Sequence, residues 1–321
     1  MASTIARMWR TNIFASYLIL SVACAIYAQS IGRTFLSNDL LDGFTIQVTY
    51  IWNYFSGGNS IFKLEPLLWI HSARALIAYI FVSVEDIFGV GSTSFLILLM
   101  YLPIVKEFAN AKRGFFVFAL PLSILVFSPR TALVIVSVAY LLMFIFRGKA
   151  YLYLLPSLFL STLSSGVVLS NLIITLLLVR NYRRRSFALY LYASTLAISL
   201  LISVGDKYIG FNEQRAGYNS TVYGASGISA IISRSTIFVS LQEGNFVRFF
   251  AYIALAVLAM LLLFVSIRMR RYRGYAAILL AAVPSVFLEG LGFVSLLVPV
   301  LLLMAGRPLP WRPEPVERTI G

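Results

Sequence analysis

Long apolar segments separated by short arginine-rich connectors constrain this chain more than any other feature. Five such segments contain no Asp, Glu or Lys, namely residues 12–30, 66–84, 131–146, 186–204 and 249–267. A helix needs about 20 residues to cross the roughly 30 Å hydrocarbon core of a bilayer. Because lipid cannot hydrogen-bond to the backbone, a crossing segment must satisfy its own backbone groups. The pattern predicts an all-α, polytopic transmembrane helix bundle.

The composition leaves no room for a separate soluble domain. Of the 321 residues, 60% are hydrophobic and 12% are charged, about half the usual charged fraction. The net charge of +14 has much of its origin in connectors such as residues 180–185 and 268–273. Lys and Arg concentrate on cytoplasmic connectors because they resist translocation. We therefore predict a single integral membrane domain, residues 1–321, and no nucleic-acid partner.

The chain offers little chemistry for metals or cofactors. Its single cysteine, Cys24, cannot form an intramolecular disulfide, and its single histidine, His71, makes a tetrahedral zinc site improbable. Nucleotide-binding loops and hydrolase elbows are absent from the sequence. We predict no metal and no cofactor, and we interpret residues 12–30 as a retained first span.

Two polar segments interrupt the apolar pattern. Residues 32–65 and 205–247 are predicted to form larger loops outside the cytoplasm, whereas the tail 305–321 is predicted to be cytoplasmic. Apolar and polar residues alternate loosely through residues 44–55, which indicates a helix at the interface or a re-entrant piece.

Two uncharged blocks are longer than one perpendicular helix requires. Block 149–180 contains Pro156 and the small polar run 161–166, and block 275–304 is interrupted by residues 289–292. Each block is therefore predicted to form a hairpin or a broken helix, which gives about nine to eleven crossings in all.

The basic connector 106–113 conflicts with a simple count of crossings. With the N-terminus inside, that count places this connector on the outer face, against the positive-inside rule. Either residues 44–58 enter the membrane or the rule is broken locally, and the sequence leaves both alternatives open.

Ionisable residues near lipid are costly and are therefore functional candidates. Arg130 follows Pro129 between two apolar segments, and its alternative role is to reach head groups from a helix end. Arg74 and His71 share a helix face, and the alternative for Arg74 is pairing with an acid on another helix.

Three carboxylates are candidates for acid–base chemistry. Asp39 and Asp42 would share one face of a helix, although loop carboxylates are usually only solvated. Glu65 precedes Pro66, and an acid followed by proline is also a favourable start for a helix.

The second polar loop interleaves tyrosines with arginines, among them Arg215, Tyr218, Tyr223 and Arg234. Aromatic faces stack on apolar sugar faces, and arginine forks bind phosphate oxygens. The alternative is an external loop that only caps the bundle.

The order of these features resembles the EpsG/Wzy group of bacterial polysaccharide polymerases. Arg33 ends a span before a loop that carries Asp39 and Asp42, the acid-proline start 65–69 follows, and an arginine opens the span at 129–133. The resemblance covers residues from about 10 to 185.

The chain departs from this family at two positions. Thr131 follows Arg130 where the family often has glutamine, and the stretch 163–165 lacks the histidine that often precedes paired small residues. A member of the family that lacks this histidine needs another base.

The resemblance implies a polymerase on the outer face of the bacterial inner membrane. Its substrate would be an undecaprenyl-diphosphate-linked oligosaccharide, with a flippase and a chain-length regulator as further partners. It implies catalytic roles for Asp42, Asp39, Glu65 and Arg130, and substrate binding by Arg33. Side-chain chemistry alone makes further residues candidates for substrate binding: Arg74, His71, Arg215, Tyr218, Tyr223 and Arg234. Arg130, Arg33 and Arg215 would stabilise the departing diphosphate.

Two other classes remain as alternatives. A GT-C-type glycosyltransferase would use a polyprenyl-phosphate sugar, but such enzymes often carry Asp-x-Asp rather than the spacing of Asp39 and Asp42. A transporter or flippase of lipid-linked oligosaccharides would place polar residues and broken helices near the midplane, as Glu289 and residues 161–166 allow.

Overall fold

The chain is helical throughout the part that the computed structural model describes: residues 2–36, 43–64, 68–108, 113–147, 151–179, 186–212, 241, 244–284 and 290–309. These residues contain thirteen α-helices and no strand. The α-helices are α1 (Ala2–Ser30), α2 (Gly43–Ser56), α3 (Trp69–Phe88), α4 (Val90–Met100), α5 (Leu102–Phe108), α6 (Ala119–Val126), α7 (Pro129–Arg147), α8 (Leu154–Ser161), α9 (Ser165–Val179), α10 (Ser186–Asn212), α11 (Phe246–Arg268), α12 (Arg273–Ala281) and α13 (Leu297–Met304). Short 3₁₀ segments occur at Ile61–Lys63, Gly114–Phe118, Tyr151–Tyr153, Arg270–Tyr272 and Gly290–Leu296. The predicted all-α class is confirmed for these residues.

Three of the described helices are long and apolar enough to cross a membrane: Asn12–Ser30, Phe187–Val204 and Phe246–Arg268. A fourth candidate is the pair formed by α4 and α5, which is bent by 46°. No more than a third of the apolar stretch of each long helix is buried within the protein. Their exposed apolar surface is what a lipid-facing helix presents, so the chain is a membrane protein.

Contacts at successive positions along helix α1 show which parts of the neighbouring segments lie at the same level of the bundle. At the start of its apolar part, a Cβ on Gly114 would lie 2.9 Å from the Cδ1 atom of Ile13. Further along, the Tyr17 hydroxyl donates to the carbonyl of Leu98 at 2.6 Å. Just beyond its end, the Arg33 guanidinium donates to the carbonyl of Phe127 at 3.1 Å. Twenty helical residues rise about 30 Å, so Ile13 and Arg33 mark opposite ends of the bundle.

The described residues on either side of the basic connector, 106–108 and 113–114, lie near Ile13, at the end of the bundle opposite Arg33. Its flanking residues Phe108 and Gly114 contact each other, and Gly114 also packs on Ile13. On the same side, Arg307 pairs with Glu107 at 3.3 Å. Because the Tyr17 hydroxyl of α1 bonds to Leu98 near the end of α4, α4 and α5 lead from the Arg33 end of the bundle back towards Ile13. Whether residues 44–58 enter the membrane or the positive-inside rule is broken locally stays a prediction.

The predicted break in the first uncharged block is confirmed as a hairpin of two short helices. Helix α8 ends at Ser161 and α9 begins at Ser165.

A buried polar network joins the hairpin to α7 and α10. Ser137 and Ser157 exchange hydrogen bonds between hydroxyl and carbonyl groups at 2.7 and 2.8 Å. The Asn171 amide donates to the Ser137 and Tyr192 hydroxyls at 3.0 and 3.3 Å. Such polar bonds hold helices together where lipid supplies no hydrophobic drive.

Gly91 allows α1 and α4 to approach closely. A Cβ at this position would lie 2.6 Å from the carbonyl oxygen of Ala25 and 3.0 Å from the Cβ of Gln29. The Gly91 N–H also donates to Oε1 of Gln29 at 2.5 Å.

We expect Gly91→Ala to lower the free energy of unfolding by about 1–3 kcal/mol, as overpacking usually does. The helices must separate by several tenths of an ångström, and the bond to Gln29 weakens. Thermal unfolding in detergent measures the effect, with Gly57→Ala as the control because its new Cβ would meet nothing closer than 3.5 Å. Equal stability of both variants would contradict the close packing of α1 and α4.

Candidate functional site

The start of α7 fixes the position of Arg130. The Ser128 hydroxyl accepts a hydrogen bond from the Thr131 N–H at 3.3 Å and also bonds to the Thr131 hydroxyl at 2.9 Å. Pro129 occupies the first helical position, where its missing N–H costs nothing. A serine cap followed by proline is a strong helix start. Arg130 is consequently held in the first turn of α7, at the end of the bundle marked by Arg33.

An aromatic cluster supports the Arg130 side chain. Its guanidinium carbon lies 4.6 Å from the centre of the Phe44 ring on α2. Phe44 contacts Phe35 edge to face at 6.3 Å, and Phe35 stacks on Phe81 of α3 at 5.0 Å. A cation over an aromatic face gains about 0.5–2 kcal/mol and is held in a defined plane. The Arg130 guanidinium is therefore oriented by the packing of α2 and α3.

Arg33 reaches the same corner from the end of α1. Its guanidinium donates to the carbonyls of Ile124 and Phe127, which immediately precede the cap of α7. Partial burial lowers the pKa of the Arg33 guanidinium, and the positive charge of Arg248 lowers it further. Arg33 nevertheless stays protonated at neutral pH, because a guanidinium is effectively always charged in proteins. We call Arg33, Arg130 and Arg248 the arginine site.

Arg248 belongs to the site although the sequence analysis did not select it. It lies in the first turn of α11, whose Asn245 cap accepts the Arg248 N–H at 3.1 Å. Tyr252, one turn further, packs on Phe127 with ring centres 5.7 Å apart. Its position in the sequence could have predicted it, because Arg248, like Arg33 and Arg130, lies within a few residues of the end of an apolar run.

Arg74 and His71 lie deeper in the bundle, each with 3% of its surface exposed. The Arg74 guanidinium donates to the Thr162 carbonyl at 2.7 Å and to the Gln47 side chain at 2.8 Å. It also lies 3.3 Å from the Nδ1 atom of His71. Arg74 thus connects α3 to α2 and to the tip of the α8–α9 hairpin. The predicted role of both residues in substrate binding stays a prediction.

Helix α2 connects Arg74 to the arginine site. Gln47, which accepts from Arg74, follows Phe44 by three residues, and residues three apart share a helix face. On the same helix, the Trp52 indole donates to the Ala75 carbonyl at 3.2 Å. Two residues of α2 that the sequence analysis did not select, Phe44 and Gln47, therefore join two of the predicted arginines.

The remaining predicted site residues lie outside the residues that the structure describes. They are Asp39, Asp42 and Glu65 of the first polar segment, and Arg215, Tyr218, Tyr223 and Arg234 of the second. Glu289 also lies outside. Their roles remain predictions from the sequence.

The described part of the site has the chemistry of an anion-binding corner. Arg33, Arg130 and Arg248 lie at one end of the bundle, and guanidinium forks match phosphate oxygens. In the described ranges no three His, Cys, Asp or Glu side chains come together as they would around a metal ion. No protein-family model, curated protein or solved structure matches the chain.

Proposed function

We propose that the chain is a polysaccharide polymerase of the EpsG/Wzy type. It joins oligosaccharide repeat units carried on undecaprenyl diphosphate at the outer face of the bacterial inner membrane. The observation that supports the proposal best is that Arg33 and Arg130 lie at the same end of the bundle. The two residues come from distant parts of the sequence, yet Arg33 binds the carbonyls that directly precede the start of α7.

The reaction that we propose needs no external energy source. The hydroxyl oxygen of the acceptor unit attacks the anomeric carbon of the growing chain, and the bond from this carbon to the lipid diphosphate breaks. The hydroxyl proton moves to a carboxylate, for which Asp42, Asp39 and Glu65 are the candidates. The electron pair of the broken bond leaves with the diphosphate, where fixed positive charge stabilises it most effectively.

The arginine site would provide this positive charge. Arg130 and Arg33 are the principal groups, and Arg248 adds a third guanidinium beside Arg33. Arg215 remains a candidate from the second polar segment. The finer architecture belongs to the same proposal: about nine to eleven crossings, a GT-C-like arrangement, and an external position for the two polar segments. Within those segments residues 43–56 and 205–212 are helical rather than loop.

Product analysis tests the proposal directly. The purified chain is placed in proteoliposomes with a lipid-linked oligosaccharide as both donor and acceptor. A polymerase yields a ladder of products that differ by whole repeat units, together with one released lipid diphosphate per bond formed. Addition of single sugars from a polyprenyl-phosphate donor would instead identify a GT-C-type transferase. Movement of the lipid across the bilayer without any chemical change would identify a transporter.

A further inference from the structure

Four arginines stand at the end of the bundle opposite the arginine site. Arg268 ends α11, Arg270 and Arg271 lie in the following 3₁₀ segment, and Arg273 begins α12, and all four are exposed. The sequence contains no Asp or Glu from residue 244 to residue 288. We call these four residues the arginine corner. Their charge is not neutralised by acids within their own segment.

The backbone of the arginine corner is held in place by the segment that follows α13. The Gly274 N–H donates to the Leu309 carbonyl at 2.9 Å, and a Cβ on Gly274 would lie 2.5 Å from that oxygen. The Tyr272 hydroxyl donates to the Gly306 carbonyl at 3.4 Å. The Arg271 guanidinium lies 5.9 Å from the centre of the Tyr272 ring. The corner is therefore built on a fixed backbone rather than on a free loop.

Exposed apolar side chains adjoin the arginine corner. Phe264 and Ile267, in the last turns of α11, are 66% and 56% exposed, and Met269 follows between the arginines with 48% exposed. Helix α11 has the highest hydropathy of the three candidate spans, at 2.7. The end of α11 therefore presents apolar side chains that can contact acyl chains beside arginines that can bind a negatively charged head group. An anionic phospholipid has both parts.

The neighbouring carboxylate is already engaged. Glu107 lies beside the 306–309 segment and pairs with Arg307 at 3.3 Å. Glu107 is therefore partly committed to Arg307 and not to the arginine corner alone.

We propose that the arginine corner is a binding site for the phosphate groups of an anionic phospholipid, whose acyl chains lie along the end of α11. Arginine forks bind phosphate oxygens in pairs, and each basic residue near a membrane surface adds to the attraction. A lipid with two phosphates engages more of the four guanidiniums than a lipid with one. This site is independent of the proposed polymerase activity.

Native mass spectrometry of the detergent-solubilised full chain measures lipid binding directly. The probes are cardiolipin, phosphatidylglycerol and phosphatidylcholine, and inorganic phosphate serves as the soluble competitor. We expect the affinity order to follow the number of phosphate charges. The variant with Arg268, Arg270, Arg271 and Arg273 all replaced by Gln should bind cardiolipin roughly tenfold more weakly or worse. Phosphatidylcholine binding should not change.

A matched control removes the same charge elsewhere. The variant in which the four arginines of residues 180–185 become Gln should change cardiolipin affinity by less than about twofold. Equal losses in both variants would overturn the proposal, because binding would then reflect overall charge. Displacement of cardiolipin by an equimolar amount of inorganic phosphate would also overturn it, since the site would then recognise free phosphate.

A second variant keeps the proposal testable if the glutamine variant does not fold. Replacing the four arginines by lysine preserves the charge but removes the fork. We expect this variant to fold and to bind cardiolipin about threefold more weakly, with unchanged thermal unfolding in phosphatidylcholine. Wild-type cardiolipin affinity in the lysine variant would contradict recognition by the arginine forks.

Discussion

Replacing Arg130 by alanine is expected to reduce polymer formation by roughly 10²–10³-fold, the usual effect of removing one group that stabilises developing negative charge. The guanidinium is fixed over the Phe44 ring at the start of α7, so its position does not depend on a flexible loop. Rates of product-ladder formation in proteoliposomes measure the effect at equal amounts of folded protein.

Two control variants separate the role of charge from that of geometry. Arg130→Lys keeps the positive charge but loses the planar fork, so we expect activity between that of the wild type and that of the alanine variant. Arg113→Ala removes an exposed arginine next to Gly114, at the opposite end of the bundle, and should leave the rate unchanged. Polymer of normal length and rate from Arg130→Ala would remove this residue from the mechanism.

The helical class and the main breaks in the helices could be predicted because they follow from local sequence. Apolar length predicts candidate spans, and the small polar residues 161–166 predict the break between α8 and α9. Three isolated long helices account for only part of the described apolar sequence. The shorter helices pair side by side, and this pairing depends on contacts such as that between Gly91 and Ala25. Such contacts join residues far apart in sequence, so periodicity alone cannot reveal them.

The candidate site could be predicted only in part for the same reason. Arg130 can be predicted because a charge at the edge of an apolar run is costly, and Arg33 can be predicted only from the family resemblance. Phe44 and Gln47 cannot be predicted in this way, since an aromatic residue and an amide are common in any helix near the interface. Their importance comes from α2 packing between α3 and α7, which brings them to Arg74 and Arg130. Arg74 lies inside an apolar segment, which predicts a partner on another helix, but the structure supplies the Thr162 carbonyl and the Gln47 amide as partners rather than an acid.

Replacing Arg74 by methionine is expected to lower the free energy of unfolding by about 3–5 kcal/mol, because hydrogen bonds from a charged group contribute about 1.5–3 kcal/mol each. The substitution leaves the Thr162 carbonyl and the Gln47 amide without their donor, while methionine fills most of the volume. Equilibrium unfolding in mixed detergent measures the loss. Thr195→Val is the control, since this exposed hydroxyl bonds only within its own helix, to the Leu191 carbonyl.

Kinetics distinguish this connecting role from direct substrate binding by Arg74. If Arg74 mainly holds α2 in place, Gln47→Leu should reproduce part of the stability loss, and the double variant should lose less than the sum of the single variants. Both single variants should then lower the maximal rate, because Phe44 shifts with α2 and the Arg130 guanidinium loses the ring that orients it. A raised KM for the lipid-linked substrate in Arg74→Met, with unchanged stability and maximal rate, would instead assign Arg74 to the substrate.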